Sequence, residues 1–100
     1  MAKLYITEFA GVASLPSTNS PVTAAKLPDL GAQVVTYTTT SVQSVEFGAN
    51  TRFVRVLADT DTCIRGGSNP TALTTDLRLT AGVPEYFGVA PGDKIAAITA

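Results

Sequence analysis

Few of the 100 residues in this chain are equipped for chemistry. A single thiol, Cys63, would need a base to draw off its proton before it could act as a nucleophile. The sequence contains no His, so thiolate formation would fall to Lys, Arg or backbone dipoles. Cys63 reads instead as a small apolar strand residue. Asp59 and Asp61, separated by Thr60, resemble the opening of a calcium loop. The later acidic positions and the closing Glu of an EF-hand are missing, which leaves a structural turn. Gly66-Gly67-Ser68-Asn69-Pro70 is Gly-rich, as phosphate cradles are, yet it lacks the Gly-Lys-Ser/Thr ending that opens a helix. It too reads as a turn. Carboxylate pairs for glycoside hydrolysis are defined in space, and no spacing here singles one out. The expectation is of a protein that is not an enzyme, with no catalytic residue, no metal ligands and no cofactor.

Charge narrows the partners. Seven basic and eight acidic residues give a net charge of −1, and Arg52, Arg55, Arg65 and Arg78 are scattered rather than massed. Nucleic-acid binding through phosphates needs a basic patch, so none is expected. One cysteine rules out an intramolecular disulfide and any reliance on an oxidising compartment. Thr7 and Glu8 break the N-terminal apolar run before a signal core can form, and no stretch approaches the roughly 18 apolar residues of a membrane span. The chain is expected to be made in the cytoplasm, with no membrane partner.

The elements that would position these residues are strands. Lys3 to Phe9 alternates Leu4 and Ile6 against Lys3, Tyr5 and Thr7, the period of two of a half-buried strand. Gln33 to Thr39 and Val42 to Phe47 are rich in Val, Thr and aromatic residues. Gly48-Ala49-Asn50 then supplies a turn that would join Val42–Phe47 to Arg52–Ala58 as a hairpin. Thr62 to Arg65 and Asp76 to Thr80 follow, the latter with Leu77 and Leu79 inward. Glu85 to Val89 comes next, and Ala90-Pro91-Gly92-Asp93 fits a type II turn before Lys94 to Ile98. Eight candidate strands with no convincing helix predict an all-β fold, an antiparallel β-sandwich or a small jelly-roll-like barrel.

Between Gly11 and Gly31 the pattern dissolves. Pro16, Pro21 and Pro28 stand among small residues, and Pro removes a backbone donor and pushes the residue before it toward extended conformations. The segment reads as an extended Pro-rich N-terminal arm. The organisation expected is residues 1–31 as first strand and arm, and 32–100 as the sandwich, in one domain overall. Either the arm wraps its own sandwich or the N-terminal segment pairs with a neighbouring subunit.

Arg52 to Ala58 has apolar residues on both faces, with Val54, Val56 and Ala58 on one and Phe53, Arg55 and Leu57 on the other. Such a strand is either covered on both sides or meets another chain. Tyr86 and Phe87 point to opposite faces, so one of them reaches the subunit surface. Leu4, Tyr5, Ile6, Phe9, Phe53, Arg55, Tyr86 and Phe87 are the candidate subunit-contact residues. Carbohydrate binding by aromatic platforms is the alternative, but Trp is absent and Tyr5, Tyr37 and Tyr86 all fall within strands.

Several stretches resemble small structural proteins of tailed bacteriophages. They are Ala2-Lys3-Leu4-Tyr5-Ile6-Thr7-Glu8, the strand Arg52-Phe53-Val54-Arg55-Val56, the loop ending Gly67-Ser68-Asn69-Pro70-Thr71-Ala72, and Glu85-Tyr86-Phe87-Gly88-Val89 before Pro91-Gly92-Asp93-Lys94-Ile95. The resemblance implies a non-enzymatic virion component made in the host cytoplasm, above all a capsid decoration or cement protein. Its partners would be the major capsid protein and copies of itself, in a trimer or another homo-oligomer. A tail or head-fibre component is the alternative within the same family of roles.

Overall fold

The structure, a computed structural model, describes the backbone of residues 2–10, 12–14, 21–25 and 29–100, and side chains at 2–10 and 29–100. Ten strands account for its regular elements: β1 Ala2–Phe9, β2 Val12–Ser14, β3 Pro21–Ala25, β4 Gly31–Tyr37, β5 Val42–Gln43, β6 Phe53–Ala58, β7 Thr62–Gly67, β8 Leu77–Leu79, β9 Glu85–Gly88 and β10 Lys94–Thr99. There is no helix among the described residues. The fold is all-β, as the short Val- and Thr-rich runs predict.

Two four-stranded sheets carry the chain, ordered β4-β1-β6-β9 and β5-β10-β7-β8. Every pairing is antiparallel. The pairings nest: β7 with β8, around it β6 with β9, and around that β5 with β10, each successive pair lying in the opposite sheet. β1 then lies beside β4, completing the sequence. One core cluster fills the space between, drawing Leu4, Ile6, Val35, Tyr37, Val54 and Val56 from the first sheet and Ile64, Leu79, Ile95 and Ala97 from the second. The period of two in β1 and β6 is what aims these side chains inward, for Leu4, Ile6, Val54 and Val56 are all 0–1% exposed.

A hydrogen-bonded pair ties the sheets together inside this core. The Thr62 hydroxyl on β7 donates to the Thr60 carbonyl at 2.9 Å, so the buried Tyr37 phenol on β4 donates to the Thr62 oxygen. Burial pushes the Tyr37 phenol above its ordinary value, because the charged form would lose its water.

Three expectations are corrected. Val42–Phe47 and Arg52–Ala58 do not form a hairpin, since β5 pairs with β10 in one sheet and β6 with β1 and β9 in the other. The residues after β5 stay with the β10 side: Ser44 N–H donates to the Ile95 carbonyl and Phe47 N–H to the Asp93 carbonyl, both at 2.8 Å. The Ser44 hydroxyl accepts from Ile95 N–H at 2.9 Å, which binds the segment to β10 before the Gly48 turn can fold it onto β6. Secondly, Leu77 is 50% exposed while Leu79 is fully buried, because β8 is a sheet edge and Leu77 lies beyond the lip of the core. Thirdly, β1 is no separable arm strand. It pairs with β4 from Ala2 to Glu8 and with β6 from Leu4 to Phe9, and a division at residue 31 would part it from both neighbours.

Within the Pro-rich stretch, β2 and β3 pair antiparallel as a two-stranded ribbon that belongs to neither large sheet. Residues 11, 15–20 and 26–28 of the expected arm lie outside the described residues. The type II turn at Ala90–Asp93 is present as read: Asp93 N–H donates to the Ala90 carbonyl at 3.1 Å, and Gly92 takes φ 83°, a conformation that favours glycine.

Candidate functional site

Several of the residues with chemical potential are held in structural hydrogen bonds. Asp61 Oδ1 accepts from Ala81 N–H and its Oδ2 from Arg78, both at 3.0 Å. Asp59 Oδ1 accepts from Lys3 N–H at 2.8 Å. These two carboxylates therefore face different strands rather than converging on an ion, and no group of metal-ligating side chains occurs among the described residues. The Gly66–Pro70 loop is tied down by Gln43, whose amide donates to Asn69 Oδ1 at 2.9 Å and to the Pro70 carbonyl at 2.7 Å. Cys63 is buried, and its thiol lies 3.5 Å from the Thr74 carbonyl.

Asp76 works like Asp61. Its Oδ2 accepts from Leu73 N–H at 2.7 Å and its Oδ1 from Arg65 at 2.8 Å. The backbone donor, Ala81 for Asp61 and Leu73 for Asp76, is the main cause that holds each carboxyl below the ordinary 3.8, and the arginine adds to it. The unfolded chain therefore takes up protons first as pH falls. What these groups contribute to stability is complete above about pH 4 and disappears as pH falls through their lower folded values. Asp61→Asn with Asp76→Asn is expected to flatten the acid limb of the melting-temperature profile below about pH 4. An unchanged limb would show that neither turn is held by its ionised carboxylate.

The surface that the sequence singled out for contact lies on the outer face of the β4-β1-β6-β9 sheet. The registers place side chains across it in rows. Tyr5 lies between Val34 and Leu57, Thr7 between Ala32 and Arg55 with Tyr86 beyond, and Phe53 between Phe9 and Gly88. Tyr5, Val34 and Tyr86 are 41%, 52% and 53% exposed, and Phe53, Arg55 and Leu57 are half-buried. Phe9 stacks on Phe53 with centroids 5.2 Å apart, and Tyr86 stands tilted 6.1 Å from Phe53. Arg55 sits within this apolar field, with no ion pair among the described residues.

Burial divides the expected contact residues. Tyr5, Phe53, Arg55 and Tyr86 share the outer face. Leu4 and Ile6 do not; they fill this subunit's own core, which corrects the expectation that they face a neighbour. Alternation puts them on the side opposite Tyr5. Phe9 shares the outer face by register and stacks on Phe53, yet is only 4% exposed, and Phe87 points inward, packed against the core. Of the cross-strand neighbours of Tyr5, Val34 went unmarked in the sequence, and Leu57 was placed on the Phe53 face of its strand but not among the contact residues. The alternation Ala32, Val34, Thr36 was visible there, but the pairing of β4 with β1 was not.

A second apolar feature opens where the sheets part. Ile64, Leu77, Phe87, Gly88, Val89 and Ile95 line a cleft of about 230 Å³ beside β9. Comparison with protein-family models, with curated proteins and with solved structures finds no match to this chain.

Proposed function

We propose that this chain is a non-enzymatic structural component of a bacteriophage particle, a capsid decoration or cement protein that stabilises the head through subunit contacts. In this reading the two sheets form a β-sandwich of jelly-roll type. The nested pairs alternating between sheets support that description, since a rolled double ribbon produces them. The resemblance of the β1, β6 and β9 segments to phage structural proteins supports the role.

The observation that carries the proposal is the outer face around Tyr5, Val34, Leu57, Phe53 and Tyr86. Contiguous apolar surface with a polar rim marks contact sites on soluble proteins. A cement protein acts through such area: each copy bound to the assembled shell, and not to free subunits, shifts the equilibrium toward the shell by mass action. Arg55 in that field suits a partner surface that is apolar with a carboxylate opposite.

The test uses phage heads prepared without this protein. Purified chain is expected to bind them at regular sites visible by electron microscopy, and Tyr5→Ser with Val34→Ser is expected to weaken binding at least about tenfold, equivalent to about 1.4 kcal/mol. Binding to tails or vertices alone would move the role to a tail or head-fibre component. Affinity for isolated glycans without affinity for heads would replace it with a carbohydrate-binding module.

A further inference from the structure

The four edges of the two sheets are not equally defended. A sheet edge presents unpaired N–H and C=O groups, and soluble chains blunt it with charge, Pro, bulges or a covering segment. Beside β4, the Gln33 side chain accepts from Val45 N–H at 2.9 Å and donates to the Val45 carbonyl at 3.1 Å, which holds the segment after β5 against this strand. β5 has two residues. β8 has three, with Arg78 at its centre paired to Asp61. β9, Glu85-Tyr86-Phe87-Gly88, has neither Lys, Arg nor Pro within it.

Antiparallel alternation fixes which β9 groups are left without a partner among the described residues. Asp59 N–H donates to the Lys3 carbonyl, and Gly82 and Val89 N–H donate to the Ala58 and Arg52 carbonyls. Odd-numbered residues of β6 thus bond toward β1 and even-numbered ones toward β9. Val54 and Val56 face Phe87 and Glu85, so the N–H and C=O groups of Tyr86 and Gly88 point away from the sheet.

We infer that β9 is a homodimer edge, at which a second copy of this chain pairs antiparallel about a two-fold axis at Phe87, Tyr86 of each copy opposite Gly88 of the other. Self-complementarity selects this occupant. Tyr86 and Gly88 are the two residues with outward groups, and a two-fold at Phe87 sets them against each other in the hydrogen-bonded position, each exchanging N–H···O=C bonds with its opposite number. Their side-chain positions share the outer face. A Cβ at Gly88 would meet nothing within 4 Å, which leaves room for the exposed Tyr86 ring of the second copy to lie over it, the arrangement in which an aromatic covers an edge glycine. The two Glu85 carboxylates would stand at opposite ends of the pairing, roughly 13 Å apart by strand rise, beyond the screening length of about 8 Å. The added strand also extends the first sheet across the mouth of the cleft, over Leu77, 50% exposed at its rim. The inference does not rest on the virion reading, and its test needs the purified chain alone.

Sedimentation equilibrium of the full chain is expected to show a monomer–dimer equilibrium. Tyr86→Pro removes an outward N–H while leaving the bonds to β6 intact, as an edge strand tolerates, and is expected to weaken self-association at least about tenfold with the β-sheet circular dichroism retained. Register is read separately by oxidation. Tyr86→Cys mixed with Gly88→Cys is expected to give a disulfide-linked dimer, opposite residues being within bridging distance, and neither variant alone is expected to do so. A chain that stays monomeric, a trimer, a dimer indifferent to Tyr86→Pro, or crosslinking equally efficient in the single variants would each overturn the inference.

Discussion

Deleting residues 1–9 is expected to leave a chain with no cooperative melting transition and no native sheet signal in circular dichroism. β1 is an interior strand of its sheet, laddered to β4 on one side and β6 on the other. Its loss strips both neighbours of their partners and removes Leu4 and Ile6 from the core. Each such side chain contributes roughly 1.5–3 kcal/mol by burial alone. A domain of this size holds about 5–15 kcal/mol in all, so two core side chains and two ladders exceed what the remainder can spare. Excision further along should have the opposite outcome. Glu8 pairs with Gly31, so continuing the register sets Ala10 opposite Asp29. Replacing residues 11–28 with Asn-Gly would join them by a two-residue hairpin turn of the favoured kind. Because the β2–β3 ribbon belongs to neither large sheet, that variant is expected to melt within about 8 °C of the parent, about 1 kcal/mol for a domain of this length. A cooperative transition surviving the first deletion, or collapse after the second, would show that the ribbon and not β1 holds the sheet.

The contrast marks where the sequence was informative. Period-two alternation in Lys3–Phe9 reports a local property, the side of the strand to which each side chain points, and the burial of Leu4 and Ile6 follows it. Arg52–Ala58, apolar on both faces, divides into two faces without marking Val54 and Val56 as the core one. The turn at Pro91-Gly92 was equally legible, because a positive φ at one residue is a local requirement. Pairing is not local. β1 finds β6 across more than forty residues, and nothing in Leu4-Tyr5-Ile6 names Val56 as its neighbour. The same gap explains the misread hairpin: Gly48-Ala49-Asn50 can turn the chain, but the sheet to which each flanking strand belongs is decided by Ser44 and Phe47 bonding to Ile95 and Asp93. The contact surface was half legible for this reason. Tyr5, Phe53, Arg55 and Tyr86 could be marked as outward or two-sided, but their assembly into one face with Val34 and Leu57 depends on three interstrand registers.

Adjacent residues of β1 should respond oppositely to truncation. Leu4→Ala is expected to cost about 2–5 kcal/mol, lowering the melting temperature by roughly 10 °C or more. Leu4 is 0% exposed, set between Val35 on β4 and Ala58 on β6, and backbone ladders on both sides keep the strand from closing over the void. Tyr5→Ala, one residue along, removes a larger side chain that is 41% exposed. Water reaches the site, so its loss opens no enclosed cavity and costs only the partial burial against Val34 and Leu57, about 1–2 kcal/mol. Binding should reverse the order: if the outer face meets a partner, Tyr5→Ala weakens association in a fully folded chain, whereas Leu4→Ala leaves the affinity of whatever fraction stays folded unchanged. Thermal denaturation of both variants, with binding measured well below each melting temperature, separates the two faces. Equal losses of stability at Leu4 and Tyr5 would mean that both sides of β1 are core and that the outer face is not available to a partner.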